Sequence, residues 1–478
     1  MPTLDVSRDS PALRRNTLRL PQLIVMAVAA MAPVGCILFN TIPQAGLVGA
    51  AMPLCYVIGF GVILLIAPQI GEMAMEFPAS GSCYTFVAQG LGASWGFMAG
   101  WLGLVFYGIS IPFIIVLVST NIQDLVQRLG LQIDWTLWYV LVTVIVGRIC
   151  YRGALFSLQT DFVFLIFELG VCLVLAFVVL LQLGQAGQLT LTPLTLGGLP
   201  QHSNPFLGTI LAILGFLGFE SVTTLSEEAK KPRQTIPQAM FVALMLVGAF
   251  YLLMSYVAVL GYGIENMTAF AQDAAPFDAI ARRFLGNGFA LLIDLAAIMA
   301  GYAGTVAFTN GAARLLYAIS REGLLPEWLS RIHPVHHTPA NAILGLQAMA
   351  LVIGLGLGHV WTPIQAIGFF GTLLTLAVLL IYALVSLACF RYFKVKRPDR
   401  WHGFRHGLLP ACSVLAIGVV IAGTLYPLPP VPHRFAPVAI GIWLLVGVGI
   451  LRFLQVYRPK ELRQAGRQFL ANGTEANY

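Results

Sequence analysis

Apolar residues run in long stretches along this chain, separated by short clusters of Arg, Lys, Pro, Gly and Asn. Crossing a hydrocarbon core as a helix takes about 20 residues. By that measure the pattern predicts twelve spans: Pro21–Ile42, Gly46–Ile70, Ser82–Val118, Trp135–Cys150, Ser157–Leu183, Pro205–Glu227, Thr235–Gly261, Gly288–Tyr317, Pro339–Gly358, Thr362–Phe390, Leu408–Leu425 and Pro437–Phe453. The expected class is an all-α polytopic membrane protein. Its first apolar run is long and lacks a short h-region with an Ala-x-Ala site, so it reads as a span and not as a cleaved leader.

Two spans are interrupted in the middle. In the first, Pro33 removes a backbone donor and Gly35 follows two residues later. A proline inside a helix costs about 3 kcal/mol in water, so the loosened turn needs new partners or is a simple kink. In the sixth, Gly215, Phe216, Leu217, Gly218, Phe219 and Glu220 place two glycines and a carboxylate where a span should be most apolar. Each glycine costs about 1 kcal/mol relative to alanine. A carboxylate near mid-bilayer costs on the order of 3 kcal/mol unless it faces protein or water. A packing face with a neutral, hydrogen-bonded acid is the simpler reading. A helix opened to line a cavity is the functional one. Spans one and six lie five apart, the offset of two inverted five-helix halves, each led by a broken helix. The expected organisation is therefore a tail over 1–20, repeats over 21–184 and 205–391, two further helices over 408–458, and a second tail over 459–478.

Charge supplies an orientation. The chain is 58% hydrophobic and 10% charged, with a net charge of +7. With an even number of spans and the N-terminus inside, all of its 27 Lys and Arg except Arg128, Arg282, Arg283 and Arg434 fall in cytoplasmic segments. This is the positive-inside rule, and it explains the basic balance without a nucleic-acid partner. Both termini are expected on the cytoplasmic side of the cytoplasmic membrane. The seven cysteines are scattered, with no CxxC pair, and His333, His336 and His337 sit in a Pro-flanked loop without a carboxylate pattern. No metal or cofactor is expected.

The acids within the spans are the candidates for chemistry. Glu168 lies about 11 residues in from Ser157, roughly 16 Å along a helix, close to mid-membrane. Asp294 lies in the outer half of the eighth span. No Lys or Arg sits deep in a span, so Glu220 and Glu168 each hold a proton, meet a cation or pair. Tyr107, Ser110, Tyr302, Thr305 and Asp294 are candidates for lining a cavity. Gly92, Gly96 and Gly100 form two overlapping GxxxG steps, read as a close-packing helix face.

At this point the residues match a family. GFESVTTLSEEAKKPRQTIPQAM (Gly218–Met240) resembles the sixth-span signature of the amino acid–polyamine–organocation (APC) transporters. FPASGSCYTF (Phe77–Phe86), GFMAGW (Gly96–Trp101) and ARLLYAISREGLLP (Ala313–Pro326), followed by TPANA, agree with its pattern and order. The resemblance runs from the first span to about the tenth. It implies a leucine-transporter-type 5+5 inverted repeat with a solute site at the two helix breaks. Carried over by position, the site residues are Ala32, Pro33, Val34, Gly35 and Cys36 in the first break and Phe216, Gly218, Phe219 and Glu220 in the second. Many relatives open the first break with a G-x-G step, and here it reads Pro33-Val34-Gly35, more like members that handle amines, polyamines or diverse amino acids. Some proton-coupled members carry a fifth-span lysine near the place of Glu168, so their lysine mechanism does not transfer.

The expected function is a secondary active transporter of amino acids or related organic amines and polyamines, working by alternating access. Glu220 is expected to meet the substrate ammonium and Glu168 or Glu220 to carry a coupling proton, with sodium the alternative ion. An obligatory exchanger or a non-transporting sensor or partner subunit would use the same scaffold. An enzyme is not expected, because no nucleophile elbow or phosphate loop is present.

Overall fold

The computed structural model describes residues 18–78, 82–128, 130–153, 158–201, 203–226, 228–321, 323, 325–426 and 428–459. Most of both expected tails, and the span edges at Ser157 and Glu227, fall outside them. Among the described residues the structure is helical, with one isolated bridge between Leu18 and Ala229 in place of any strand. Among the described residues ten helical stretches are long and apolar enough to cross a membrane, and Trp135–Tyr151 is a shorter apolar helix. The chain is a multi-pass helical membrane protein. The first stretch, Leu20–Glu76, is 57 residues long and takes in both the first and second predicted spans.

In chain order the helices are α1 (Leu20–Ala30), α2 (Pro33–Val48), α3 (Met52–Glu76), α4 (Ser82–Leu91), α5 (Ala93–Arg128), α6 (Trp135–Tyr151), α7 (Leu158–Gln185) and α8 (Pro205–Leu214). They continue as α9 (Pro232–Tyr262), α10 (Met267–Phe270), α11 (Pro276–Leu285), α12 (Asn287–Arg321), α13 (Ala340–Val360), α14 (Pro363–Arg391), α15 (Leu409–Leu425) and α16 (Phe435–Tyr457). Helix α5 is the central post, packed along α12 and α14, while α3 runs along α9 and α8. Lipid tails are as apolar as leucine, so these contacts depend on close packing and not on water exclusion. Gly301 accordingly leaves no room for a Cβ against Val118.

The third predicted span departs from its expectation. It folds as two helices that reverse at Gly92, which has φ +109°, a conformation that glycine adopts without steric cost. Helix α4 turns back along α5, so a Cβ on Gly96 would stand 2.6 Å from the Ala88 side chain and one on Gly100 3.1 Å from the Tyr84 ring. The glycine steps do serve close packing, but within a hairpin of the span's own two halves. Helical periodicity continues through such a reversal, so the hydropathy pattern does not mark it.

Local devices hold the periphery. Asp134 caps α6 by accepting from Thr136 N at 2.9 Å, and its bonds to Thr136 hold its carboxyl below the ordinary range. Helix α16 is fastened to α5 by two reciprocal bonds. Trp101 Nε1 donates to Trp443 O and Trp443 Nε1 to Trp101 O, each at 2.8 Å, beneath a ring stack of 4.4 Å. Beyond these pins only a minority of α15 and α16 is buried, as expected of helices that face lipid.

An ionic cluster stands at each end of the bundle. Where α5 finishes, Arg128 bridges Asp278 of α11 at 2.5 Å and Asp294 of α12 at 3.2 Å, and also pairs with Asp124. Arg282 adds a second cation on Asp278 at 2.7 Å. At the other end Glu76 of α3 receives Arg397 at 3.3 Å and Arg400 at 2.6 Å, from the loop between α14 and α15.

Candidate functional site

Both mid-span interruptions are present, and they touch. Helix α1 stops at Ala30, Ala32 adopts a left-handed conformation with φ 44°, and α2 restarts at Pro33. Proline suits that first helical position, where its missing N–H would be unpaired anyway. Helix α8 stops at Leu214, the chain turns through Gly215–Gly218, and a 3₁₀ segment runs over Phe219–Leu225. Gly218, at φ +100°, lies against the Ala30 carbonyl, where a Cβ would come within 2.6 Å of its oxygen. Tyr251 of α9 spans the two breaks: its hydroxyl donates to Gly215 O at 2.6 Å and reaches Met31 O at 3.5 Å.

The polar groups freed at the two breaks are disposed differently. At the second, Glu220 folds back on its own turn. Its Oε2 accepts from Gly218 N at 3.1 Å and from the Tyr382 hydroxyl of α14 at 2.8 Å. At the first, Pro33 has no N–H, Cys36 N donates to Ala32 O at 3.0 Å, and no side chain caps the helix. The N–H groups of Val34 and Gly35 thus stand as uncapped first-turn donors at the positive end of a 16-residue helix.

A hollow of about 50 Å³ opens beside the breaks. The two break segments supply Ala32, Gly35, Cys36 and Leu217, and α1 and α8 end on it with Ala30 and Leu214. Its far wall is Phe106 and Ser110 of α5 and Ala300, Gly301, Gly304 and Phe308 of α12. The wall is mostly carbon. Ser110 Oγ donates to Phe106 O at 2.6 Å and Cys36 Sγ to Met31 O at 3.4 Å. Asn40 of α2 also lines the space.

Of the residues expected at the site, Ala32, Gly35, Cys36 and Ser110 line this hollow. Pro33 and Val34 are buried in the first turn of α2. Gly218 and Glu220 form the second break without lining the hollow. Phe216 packs on Phe60 and Tyr251, and Phe219 on Tyr382. Tyr107 lies behind the wall, its ring on Phe106 and Phe308, and Thr305 is buried with its hydroxyl on Gly301 O at 2.8 Å. Tyr302 is half-buried on α12, off the hollow. Asp294 belongs to the Arg128 cluster. Glu168 is buried in α7, and its carboxyl has no hydrogen-bond or ion-pair partner among the described residues. No group of three or more His, Cys, Asp or Glu placed to hold a metal occurs among the described residues.

Sequence reasoning did not single out Tyr251, Tyr382 or Asn40. Each is a hydrogen-bonding side chain inside an apolar run, the same signal that marked Glu168 and Glu220, but without a charge to raise its cost.

Two interrupted helices meeting beside a buried hollow is the arrangement by which secondary transporters hold a solute within the membrane. The chain belongs to the amino acid permease family of the APC superfamily, whose family model matches residues 22–462. It is similar to the branched-chain amino acid permease BcaP of Bacillus subtilis, with 24% identity covering 87% of this chain and 88% of that protein. It is also similar to the low-affinity putrescine importer PlaP of Escherichia coli, at 25% identity over 85% and 88% of the two chains. The methylthioribose transporter of Bacillus subtilis is 22% identical over 93% of this chain and 94% of its own.

Proposed function

We propose that this permease is a proton-coupled secondary transporter of amino acids or related organic amines, working by alternating access around the hollow. The observation that carries the reading is the contact of the two breaks beside that space. A substrate carboxylate binds the Val34 and Gly35 N–H groups at the start of α2. An ammonium group meets the carbonyl ends of α1 and α8, where helix dipoles are negative. Glu220 adds negative charge behind the second break, and its bonds to Gly218 and Tyr382 couple that charge to the shape of the turn. Named relatives that carry branched-chain amino acids and putrescine fit this solute range.

Glu168, buried and without a partner among the described residues, is the group to which this reading assigns the coupling proton, since an unpaired mid-membrane carboxylate is stable only when protonated or matched by a cation. This reading takes Leu20–Glu76 as two crossings and Trp135–Tyr151 as another, for twelve crossings arranged as two five-helix halves plus α15 and α16. It takes both termini as cytoplasmic, and the basic-residue bias supports that.

Proteoliposome uptake of labelled neutral amino acids and diamines, with and without an inward proton gradient, tests the proposal. Wild-type protein is expected to accumulate a solute only under the gradient. Glu168→Gln is expected to keep solute counterflow and lose gradient-driven accumulation. Absence of uptake and counterflow for every solute of both classes would overturn the reading. Undiminished gradient-driven accumulation in Glu168→Gln would remove that residue from coupling.

A further inference from the structure

Asn40 stands apart among the side chains of the hollow. It is only 2% exposed, it lines the space, and its Nδ2 has no hydrogen-bond partner among the described residues. The other polar side chains on the wall, Ser110 and Cys36, have already donated to carbonyls of their own segments. A buried amide donor left unmade is costly, and buried polar groups of this kind are normally satisfied by protein, water or ligand.

The placement of Asn40 limits what that ligand is. It lies five residues beyond Gly35 on the same helix, ~7.5 Å along the axis at 1.5 Å per residue. The hollow is therefore lined by two residues whose donors lack a partner among the described residues, Gly35 near the break and Asn40 further along α2, with carbon between them. A diamine brings only donors to both and no carboxylate for the first. The Glu220 carboxylate, which would welcome a second ammonium, is turned onto Gly218 N and Tyr382 and is not part of the wall. An amino acid with an apolar stem and an uncharged acceptor at its end satisfies both sets.

We propose that Asn40 is a specificity-determining residue that hydrogen-bonds a neutral acceptor, an amide carbonyl or a hydroxyl, at the far end of the substrate's side chain, so that the solute is a neutral polar amino acid of about glutamine's length. This rests on the transport reading above. Sites that hydrogen-bond a substrate group reject analogues lacking it more strongly than apolar pockets reject an extra methylene.

The test uses full-length protein in proteoliposomes with glutamine, norleucine and putrescine as labelled solutes and as competitors. Wild type is expected to favour glutamine over norleucine by about tenfold in half-saturating concentration, the discrimination of roughly one hydrogen bond, and to take putrescine poorly. Asn40→Leu is expected to abolish or reverse the glutamine–norleucine ratio, and Asn40→Thr, which keeps a hydroxyl donor, to retain part of it. The ratio is the readout because a purely structural role would lower uptake of both solutes alike. An unchanged ratio in Asn40→Leu, or a wild type that prefers norleucine or putrescine while transporting normally, overturns this inference and leaves the transport reading standing. No transport of any of the three or of other amino acids overturns both.

Discussion

Gly218 offers the sharpest test of the claim that the two breaks support each other. Replacing it with alanine puts a methyl group 2.6 Å from the Ala30 oxygen and 3.2 Å from the Ala30 carbonyl carbon, at a backbone φ of +100°. The left-handed conformation costs an L-residue about 1–2 kcal/mol. A carbon and a carbonyl oxygen rest ~3.3 Å apart even in close C–H···O contacts, so roughly 0.7 Å must be found. The obstacle is backbone rather than the end of a flexible side chain. Overpacking of that kind costs about 1–3 kcal/mol, for a total of roughly 2–5 kcal/mol. The displaced carbonyl is at the negative end of α1, so solute binding should fall together with stability. The assay pairs thermal unfolding of detergent-purified protein with proteoliposome uptake, and takes Gly170→Ala as control, because nothing lies within 4 Å of a Cβ there. Gly218→Ala is expected to unfold several degrees lower and to lose most uptake, while the control matches or slightly exceeds wild type. A Gly218→Ala protein with wild-type melting and wild-type uptake would refute the contact between the breaks.

Two further outcomes follow from the ends of the bundle. Arg128→Ala strips the shared cation from Asp278 and Asp294, whose side chains are each 2% exposed, and is expected to destabilise by on the order of 3–5 kcal/mol. Arg128→Lys should recover part of the loss in the same melting assay, and an Arg128→Ala protein as stable as wild type would show that the cluster holds nothing. His433, buried in the loop before α16 with Nδ1 2.9 Å from Thr372 Oγ1, has its imidazole pushed down to about 4 by burial. The unfolded imidazole takes up its proton near pH 6.5 and the folded one does not. Stability is therefore complete above about pH 6.5 and declines as pH falls toward 4, by on the order of 3 kcal/mol in total. Wild type should lose more stability than His433→Gln between pH 7 and 4.5, and parallel pH profiles would refute the assignment.

Hydropathy is written locally, and what it can specify was legible in the chain itself: helices throughout, a membrane as solvent, and the weak points of two spans. Pro33 and Gly218 announce the interruptions because each alters its own backbone, one by lacking a donor and the other by admitting a left-handed turn. Family membership was legible for a related reason, since the motifs around the second break are contiguous in sequence. The hairpin at Gly92 was not, because α4 and α5 carry the same apolar pattern whether they run on or double back.

Tertiary packing alone decided the partners. Arg128 and Asp294 are 166 residues apart, as sequence neighbours go, and Tyr382 reaches Glu220 across 162. Nothing in either local stretch names the other, so an acid that reads as lacking a base turns out to have one. The same holds for the hollow. Asn40 is one polar residue in an apolar helix until α5, α8 and α12 close around it. Only that closure leaves its Nδ2 buried without a hydrogen-bond partner among the described residues.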